Sequence, residues 1–311
     1  MKRKVAQIGP STLMVSLPSQ WVKANNIKKG EELDVNLSRK EICFSLGNKK
    51  EEEKEITLDI SNFNKYLLSR YLEVLYISNY HKIILHYSSG ELHNDKNQTD
   101  VNVKSVIKKL SERFIGMEIV SQTKNMTELR CFLLDQEKDL NKIEKRIYFL
   151  LNDFINEFFH ALEGNYQEFH QNVYNYHDTI YKFTSYYLRV LDHSEKSFEE
   201  KKQLYSLHLI IDKMVDKLRH LSEAIVKYKC TPKVKKTLKE IFSIVNEQFL
   251  ALHKGEMSRE LIKKRYLLVK KIEEEKYSLN ELRVITEVKI FLDTINDFTR
   301  AVIVKGLAQK N

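Results

Sequence analysis

Apolar residues recur every three or four positions over most of the second half of the chain, the pattern of amphipathic helices. The first such stripe runs from Leu140 to Leu162 and ends at Gly164, a helix stop signal. Five further helical segments follow, and Pro232 separates the third helix from the fourth. The pattern therefore predicts two units of three helices each, residues 139–228 and 233–305.

The two predicted units repeat short motifs at an offset of about ninety residues, the signature of an internal duplication. The string I-N-E-x-F-x-A-L that begins at Ile155 recurs as V-N-E-x-F-x-A-L from Val245. In the third helix of each unit, two aspartates stand four residues apart. These pairs are Asp212 with Asp216 and Asp293 with Asp297.

The first half of the chain is patterned differently. Leu13, Val15 and Leu17 alternate onto one face, which is typical of a half-buried strand. Residues 1–50 read as strand, strand, short helix, strand, strand. Residues 51–135 predict a mixed α/β segment, with a helix through Tyr66, Leu67, Tyr71, Val74 and Leu75 and a polar loop near residues 88–99.

Composition supports a mainly helical, soluble protein. The 311 residues include only 8 glycines and 3 prolines, which disfavours an all-β fold or a disordered chain. No apolar run is long enough to cross a bilayer and no secretory signal is visible, so we expect a cytoplasmic protein without membrane insertion. Three widely spaced cysteines indicate neither a disulfide framework nor a cysteine zinc site.

The positive charge is concentrated at the N-terminus. Residues 1–50 hold ten basic and four acidic residues, a net charge of +6, which leaves only +3 for residues 51–311. A small module with concentrated lysine and arginine is suited to neutralising phosphates of DNA. Charge alone fits a solvated or partner-docking surface equally well.

The N-terminal strings resemble a known DNA-binding module. The residues Arg3-Lys4-Val5, the string G-x-S-T-L-x-V-S-L-P from Gly9 and the later Trp21-Val22 are similar to the swapped-hairpin SpoVT/AbrB family over about 45 residues. In that family two chains exchange hairpins into one intertwined barrel that binds DNA. The resemblance implies that Lys2, Arg3, Lys4, Ser11 and Lys23 contact DNA.

The repeated aspartate pairs are candidate metal ligands. A spacing of four residues places two carboxylates one helical turn apart, where both could ligate a hard cation. Helical geometry predicts that all four carboxylates point away from the apolar stripe. Solvated surface acids occupy the same positions, so both interpretations remain open.

Two tandem three-helix units with this repeated motif resemble PhoU, the phosphate-uptake regulator. The whole domain order is similar to that of archaeal PhoU-like regulators, in which acidic motifs on the second and third helices hold metal clusters. In the first unit the second helix offers only Asp178 and its neighbour His177. In the second unit Lys263, Lys264 and Lys270 stand where acids are wanted.

The resemblance therefore implies a divalent metal, Mg, Mn, Fe or Zn, at the first unit. Its expected ligands are Asp212, Asp216, Asp178 and His177, while Asp293 and Asp297 should bind weakly or not at all. A hard cation takes about six ligands, so two aspartates alone leave most positions to water.

These observations predict a multidomain, mainly α protein. Its parts are a swapped-hairpin β-barrel (1–50), an α/β segment (51–135) and a PhoU-like domain of two three-helix bundles (136–311). We expect a homodimeric DNA-binding transcription regulator of phosphate uptake. The alternative is a PhoU-type adaptor that contacts a phosphate transporter or signalling protein without binding DNA. No nucleophile stands beside a base at a recognisable spacing, so we do not expect an enzyme.

Overall fold

The computed structural model of the chain describes residues 2–37, 42–46, 53–133, 140–164, 166–194, 196–253 and 259–308. The described chain is mainly helical, as the sequence predicts. It divides into two compact units, residues 1–52 and residues 53–311.

The first unit contains two separate antiparallel hairpins and one short helix. Its elements are β1 (Ala6–Gln7), β2 (Leu13–Met14), α1 (Ser19–Ala24), β3 (Leu33–Leu37) and β4 (Ile42–Leu46). Strand β1 pairs with β2 and β3 pairs with β4. Within the described residues no pairing joins the two hairpins, so a single chain closes no barrel.

The second unit begins with an α/β layer. Its elements are β5 (Lys54–Asp59), α2 (Lys65–Ile77), β6 (Tyr80–His86), β7 (Glu91–Asn94), β8 (Thr99–Asn102), α3 (Val103–Ser111), β9 (Met117–Gln122) and β10 (Met126–Cys131). The main sheet has the order β5-β6-β10-β9, and β5 runs parallel to β6 because α2 forms the crossover between them. Strands β7 and β8 pair with each other as a separate hairpin. The prediction of a polar loop near residues 88–99 is therefore wrong in part, because β7 and the start of β8 lie within it.

Helix α2 lies where the sequence predicts a helix, but its buried face is different. Leu68 and Leu72 are fully buried in one core with Ile83 and Leu129 of the sheet. Of the side chains on which the prediction rested, that of Leu75 is buried, whereas those of Tyr66, Leu67, Tyr71 and Val74 are exposed. This helix has apolar residues on two faces, and the sheet covers only one of them.

The second half of the chain consists of six long helices. They are α4 (Leu140–Ala161), α5 (Tyr166–Asp192), α6 (Phe198–Tyr228), α7 (Pro232–His253), α8 (Arg259–Glu274) and α9 (Leu279–Ala308). Each predicted apolar stripe is thus a helix. One continuous hydrophobic core runs through both sets of three, and Phe158 of α4 stacks on Phe242 of α7 with ring centroids 4.6 Å apart.

The α/β layer and the helices belong to the same compact unit. Arg189 of α5 is buried and donates hydrogen bonds to the carbonyl oxygens of Tyr76, at 2.6 Å, and Tyr80, at 3.3 Å. Asn79 Nδ2 donates to Asp192 Oδ2 at 3.1 Å. These contacts fix α2 against α5. Among the described helices, none has the length and apolar content that crossing a membrane requires.

Candidate functional site

The N-terminal unit exposes its apolar strands. None of its described residues is buried, although Leu13 and Ile42 lie within strands. Their side chains are 69% and 61% exposed, and Val15, Leu37 and Phe44 are also exposed. Two isolated hairpins with open apolar faces are at best marginally stable in water. The unit therefore presents surface that a further apolar surface would cover.

The residues predicted to contact DNA lie at one end of this unit's sequence and are all exposed. Lys2, Arg3 and Lys4 directly precede β1, and Ser11 lies in the turn between β1 and β2. Lys23 lies in the last turn of α1. The structure of one chain places these side chains in solvent, where they are accessible to a ligand.

A second site lies where α5 and α6 pack together. We call it the polar seam, consisting of His177 and Asp178 of α5 and Asp212, Asp216 and Arg219 of α6. His177 Nδ1 lies 3.0 Å from Asp178 Oδ1, and His177 Nε2 lies 3.8 Å from Asp216 Oδ1. The structure thus brings together three of the predicted metal ligands from two helices.

Arginine side chains already engage the carboxylates of the polar seam. Arg219 Nη2 donates to Asp216 Oδ1 at 2.5 Å, and its Nη1 donates to Glu223 Oε1 at 2.7 Å. Burial opposes ionisation of Asp216, but the hydrogen bond from Arg219 and the nearby charges of Arg219, His220 and His177 together outweigh it and hold the pKa of this carboxyl below its usual range. Arg113 Nη2, from the segment after α3, lies 3.2 Å from Asp178 Oδ1.

Asp212 has a different environment from its neighbour. Burial and, to a smaller extent, the nearby carboxylate of Glu73 on α2 raise the pKa of Asp212 to about 6. Asp212 and Asp216 are not part of the hydrophobic core, but both are only half exposed. Helix α2 packs against α5, and its Glu73 and Arg70 are close enough to Asp212 for their charges to act on that carboxyl group.

The polar seam does not fit the predicted metal cluster. Within the described residues, no group of three or more His, Cys, Asp and Glu side chains is arranged to hold a metal ion. The Asp216 oxygen nearest His177 already accepts from Arg219, and the Asp178 oxygen bonded to His177 also pairs with Arg113. Guanidinium groups thus neutralise both carboxylates that His177 contacts.

In the second unit, Asp293 and Asp297 also lie beside basic side chains. These are not the lysines of α8 that the sequence indicated. Asp293 is exposed and close enough to Arg265 of α8 for its charge to act on that guanidinium. Asp297 Oδ2 lies 3.7 Å from Lys213 Nζ of α6. Lys264 and Lys270, in contrast, pair with Glu247 and Glu274.

Three residues of the site were not identified from the sequence. Arg219 follows Asp216 by three positions, a spacing that places both on one helix face, so its pairing was accessible to sequence reasoning. Glu73 and Arg113 come from the α/β layer. No local pattern indicates that they approach α5 and α6.

Comparisons with known proteins add no identification: the chain matches no protein-family model, and no curated protein or solved structure is significantly similar to it.

Proposed function

We propose that the protein is a DNA-binding transcription regulator that acts as a homodimer. The observation that carries the proposal is the N-terminal unit, in which residues 1–50 have a net charge of +6, the apolar strands are exposed and none of the described residues is buried. A second copy of the same unit supplies the missing core, since each hairpin offers the other chain a complementary strand edge and apolar face. This assembly corresponds to the swapped-hairpin barrel that the SpoVT/AbrB resemblance implies.

The basic side chains of the module bind DNA in this proposal. Lys2, Arg3 and Lys4 precede the first strand, so pairing of two modules brings two such clusters into one assembly. Neutralising phosphates with lysine and arginine releases counterions and gives affinity that falls steeply with salt. Ser11 and Lys23 complete the proposed contact surface.

Residues 53–311 serve as the sensory part. The resemblance of the six helices to PhoU connects the signal with phosphate supply. Support comes from the polar seam, where α2 of the α/β layer meets the ionisable side chains of α5 and α6. A ligand or partner that changes the charge balance at this seam would alter the packing of α2. This helix belongs to the α/β layer, which follows the DNA-binding module in the sequence.

A salt-titrated mobility shift on the full chain tests the DNA-binding proposal. We expect binding to a short mixed-sequence duplex at low salt. Replacing Arg3, Lys4 and Lys23 by alanine should weaken it and lower the salt slope by about one unit for each lost phosphate contact. The matched control replaces Lys108, Lys109 and Lys124, which are exposed on the α/β layer, and removes the same charge.

The alternative adaptor function predicts a different result. In that case the basic module only dimerises, and phosphate transporters or signalling proteins bind elsewhere. A triple variant that binds DNA as the parent does, or a parent that does not bind at low salt, would favour the adaptor over the regulator.

A further inference from the structure

Helix α8 is poorly covered compared with the other helices. Only three of its sixteen residues are buried, namely Leu261, Leu268 and Ile272. Three large apolar side chains lie outside this stripe and are exposed, those of Ile262, Tyr266 and Leu267. The corresponding second helix of the first unit, α5, has α2 packed against it. Among the described residues no such helix covers α8.

An open groove of about 630 Å³ lies between α7 and α8. Its apolar floor is formed by Ile244, Leu267 and Leu268. Its charged lining consists of three lysines and one acidic residue, namely Lys239, Lys264, Lys271 and Glu240. The volume falls in the range that holds a few side chains or a small ligand. The distance from Lys264 to Lys271 along α8 is seven residues, about 10 Å or two helical turns.

Positive charge is concentrated around this groove. Helix α7 carries four lysines and two glutamates, and α8 carries six basic and three acidic residues, so the two helices have a net charge of +5. Residues 51–311 together carry only +3. The rest of this region is therefore slightly acidic, and α7 and α8 form a separate basic surface.

We propose that the groove between α7 and α8 binds an acidic amphipathic helix of a partner protein. The apolar floor accepts side chains at positions i, i+4 and i+7 of such a helix, over the two turns that the groove spans. The three lysines then face acidic residues that flank those positions. This inference is independent of DNA binding by residues 1–52.

The lysines of the groove are available for such an exchange. Lys239 pairs with Glu163, Lys264 Nζ lies 3.1 Å from Glu247 Oε2, and Lys271 Nζ lies 2.7 Å from Glu240 Oε2. Solvent reaches all three ion pairs, and such pairs contribute little to stability, so a partner carboxylate can replace these glutamates. Lysines from both α7 and α8 border the apolar side chains, which favours an acidic amphipathic helix over a lipid surface.

The first test selects ligands without assuming the partner. A phage library of random peptides is selected on the full chain and counter-selected on the Leu267→Asp variant. We expect enrichment of sequences with leucine, isoleucine or phenylalanine at helical spacing and aspartate or glutamate between them. Failure to enrich any sequence, or enrichment of basic or unpatterned sequences, would overturn the proposal.

Binding of the selected peptide is then measured by fluorescence anisotropy. Leu267→Asp should weaken binding at least about tenfold, because it places an unpaired charge against the apolar side chains of the peptide. Ile262→Asp is the matched control, since Ile262 is similarly exposed on the same helix and does not line the groove. It should leave the dissociation constant within about twofold, as expected for a residue outside the interface.

The lysines are tested by charge reversal. The double variant Lys264→Glu and Lys271→Glu should weaken binding and reduce its salt dependence, whereas Lys263→Glu with Lys270→Glu, outside the groove, should have the smaller effect. Equal effects of the two double variants would contradict recognition by the groove.

Two further measurements exclude other occupants. Leu267→Asp should not change binding of the protein to phosphatidylserine vesicles. The variant and the parent should also have the same mass in analytical ultracentrifugation. Vesicle binding that is lost with Leu267→Asp would assign the surface to a membrane. A lower oligomeric state of that variant would assign it to a second copy of the chain. Either result would overturn the proposal.

Discussion

Two ionisable side chains of α6, the buried His208 and the half-buried Asp212, lie one helical turn apart and respond to pH in opposite ways. His208 stacks on Tyr187 with ring centroids 3.7 Å apart, and its Nδ1 lies 2.8 Å from the carbonyl oxygen of Leu204. Burial lowers the pKa of His208 to about 3, so its ring is neutral in the folded protein at ordinary pH. Asp212, in contrast, has its pKa raised to about 6.

His208 should make the protein less stable in mild acid. Below about pH 6.5 the unfolded chain binds a proton at this histidine while the folded chain does not, so the free energy of unfolding decreases as pH falls. His208→Phe keeps the aromatic stacking and removes this proton. In this variant the free energy of unfolding should fall by about 1 to 2 kcal/mol less than in the parent between pH 6.5 and pH 5. Urea unfolding monitored by circular dichroism at several pH values measures it.

His160→Phe is the control, because His160 is exposed on α4 and should leave the pH dependence unchanged. A His208→Phe variant with the same pH profile as the parent would show that His208 does not titrate as its burial requires.

Asp212 should have the opposite effect. Its folded pKa exceeds that of the unfolded chain, so the ionised carboxylate destabilises the fold above about pH 6, and the penalty disappears as pH falls towards 4. Asp212→Asn should therefore raise the free energy of unfolding at pH 7.5 by about 1 to 3 kcal/mol and change it little at pH 4. Unfolding is measured with chelator present, so that no bound cation contributes.

Asp293→Asn is the matched control, since Asp293 is the exposed counterpart in the second unit. A lower stability of Asp212→Asn at pH 7.5 would mean that Asp212 has a favourable partner.

Elemental analysis of protein purified without chelator tests the predicted divalent metal. Because Arg219 and Arg113 pair with the carboxylates, one or more ions per chain would contradict this geometry.

At the scale of elements, Arg189 joins the end of α2 to α5. Its guanidinium donates to the carbonyl oxygen of Tyr76 in the last turn of α2, where helix carbonyls carry partial negative charge. It also lies 4.9 Å from the centre of the Tyr76 ring. Asn79, in a left-handed backbone conformation with φ 63°, adds hydrogen bonds to the carbonyl oxygen of Arg189 and the carboxylate of Asp192.

Arg189→Met should loosen the contact between α2 and α5. The variant keeps most of the buried volume but leaves the carbonyl oxygens of Tyr76 and Tyr80 without this donor, which costs about 2 to 4 kcal/mol. We expect a lower urea midpoint in circular dichroism. Lys182→Met, at a half-buried position of the same helix, is the control. An unchanged midpoint for Arg189→Met would show that the α/β layer does not depend on this arginine.

The sequence predicts elements better than it predicts their contacts. The six helices follow from long apolar stripes, because each stripe exceeds several turns and has few alternative structures. Helix α2 was predicted, but most of its buried face was not, since apolar residues lie on both sides of it, as Leu72 and Val74 do. The spacing of Asp212 and Asp216 identified the seam. The environment of Asp212 depends on Glu73 of α2, which lies more than a hundred residues earlier in the sequence. No local sequence pattern predicts that contact.

For the whole molecule, the division into residues 1–52 and 53–311 has a consequence for folding. The larger unit has two extensive hydrophobic cores of its own. The described residues of the smaller unit have none, so we expect its stability to come from a partner surface. The chain has a single tryptophan, Trp21, and it lies in α1 of the smaller unit. Its fluorescence therefore reports on that unit alone.

We expect two separate unfolding transitions in the full chain. The transition of Trp21 fluorescence, excited selectively, should shift to higher urea as protein concentration rises, because a folded dimer of the module is favoured by mass action. The circular dichroism transition, dominated by α4 to α9, should not shift with concentration.

Val15→Asp should remove the fluorescence transition by burying an unpaired charge in the shared core, and it should leave the circular dichroism transition in place. Ser16→Asp, on the opposite face of the same stretch of chain, is the matched control and should retain both. A fluorescence midpoint that is independent of concentration and unchanged in Val15→Asp would contradict the dimeric module and, with it, the proposed mode of DNA binding.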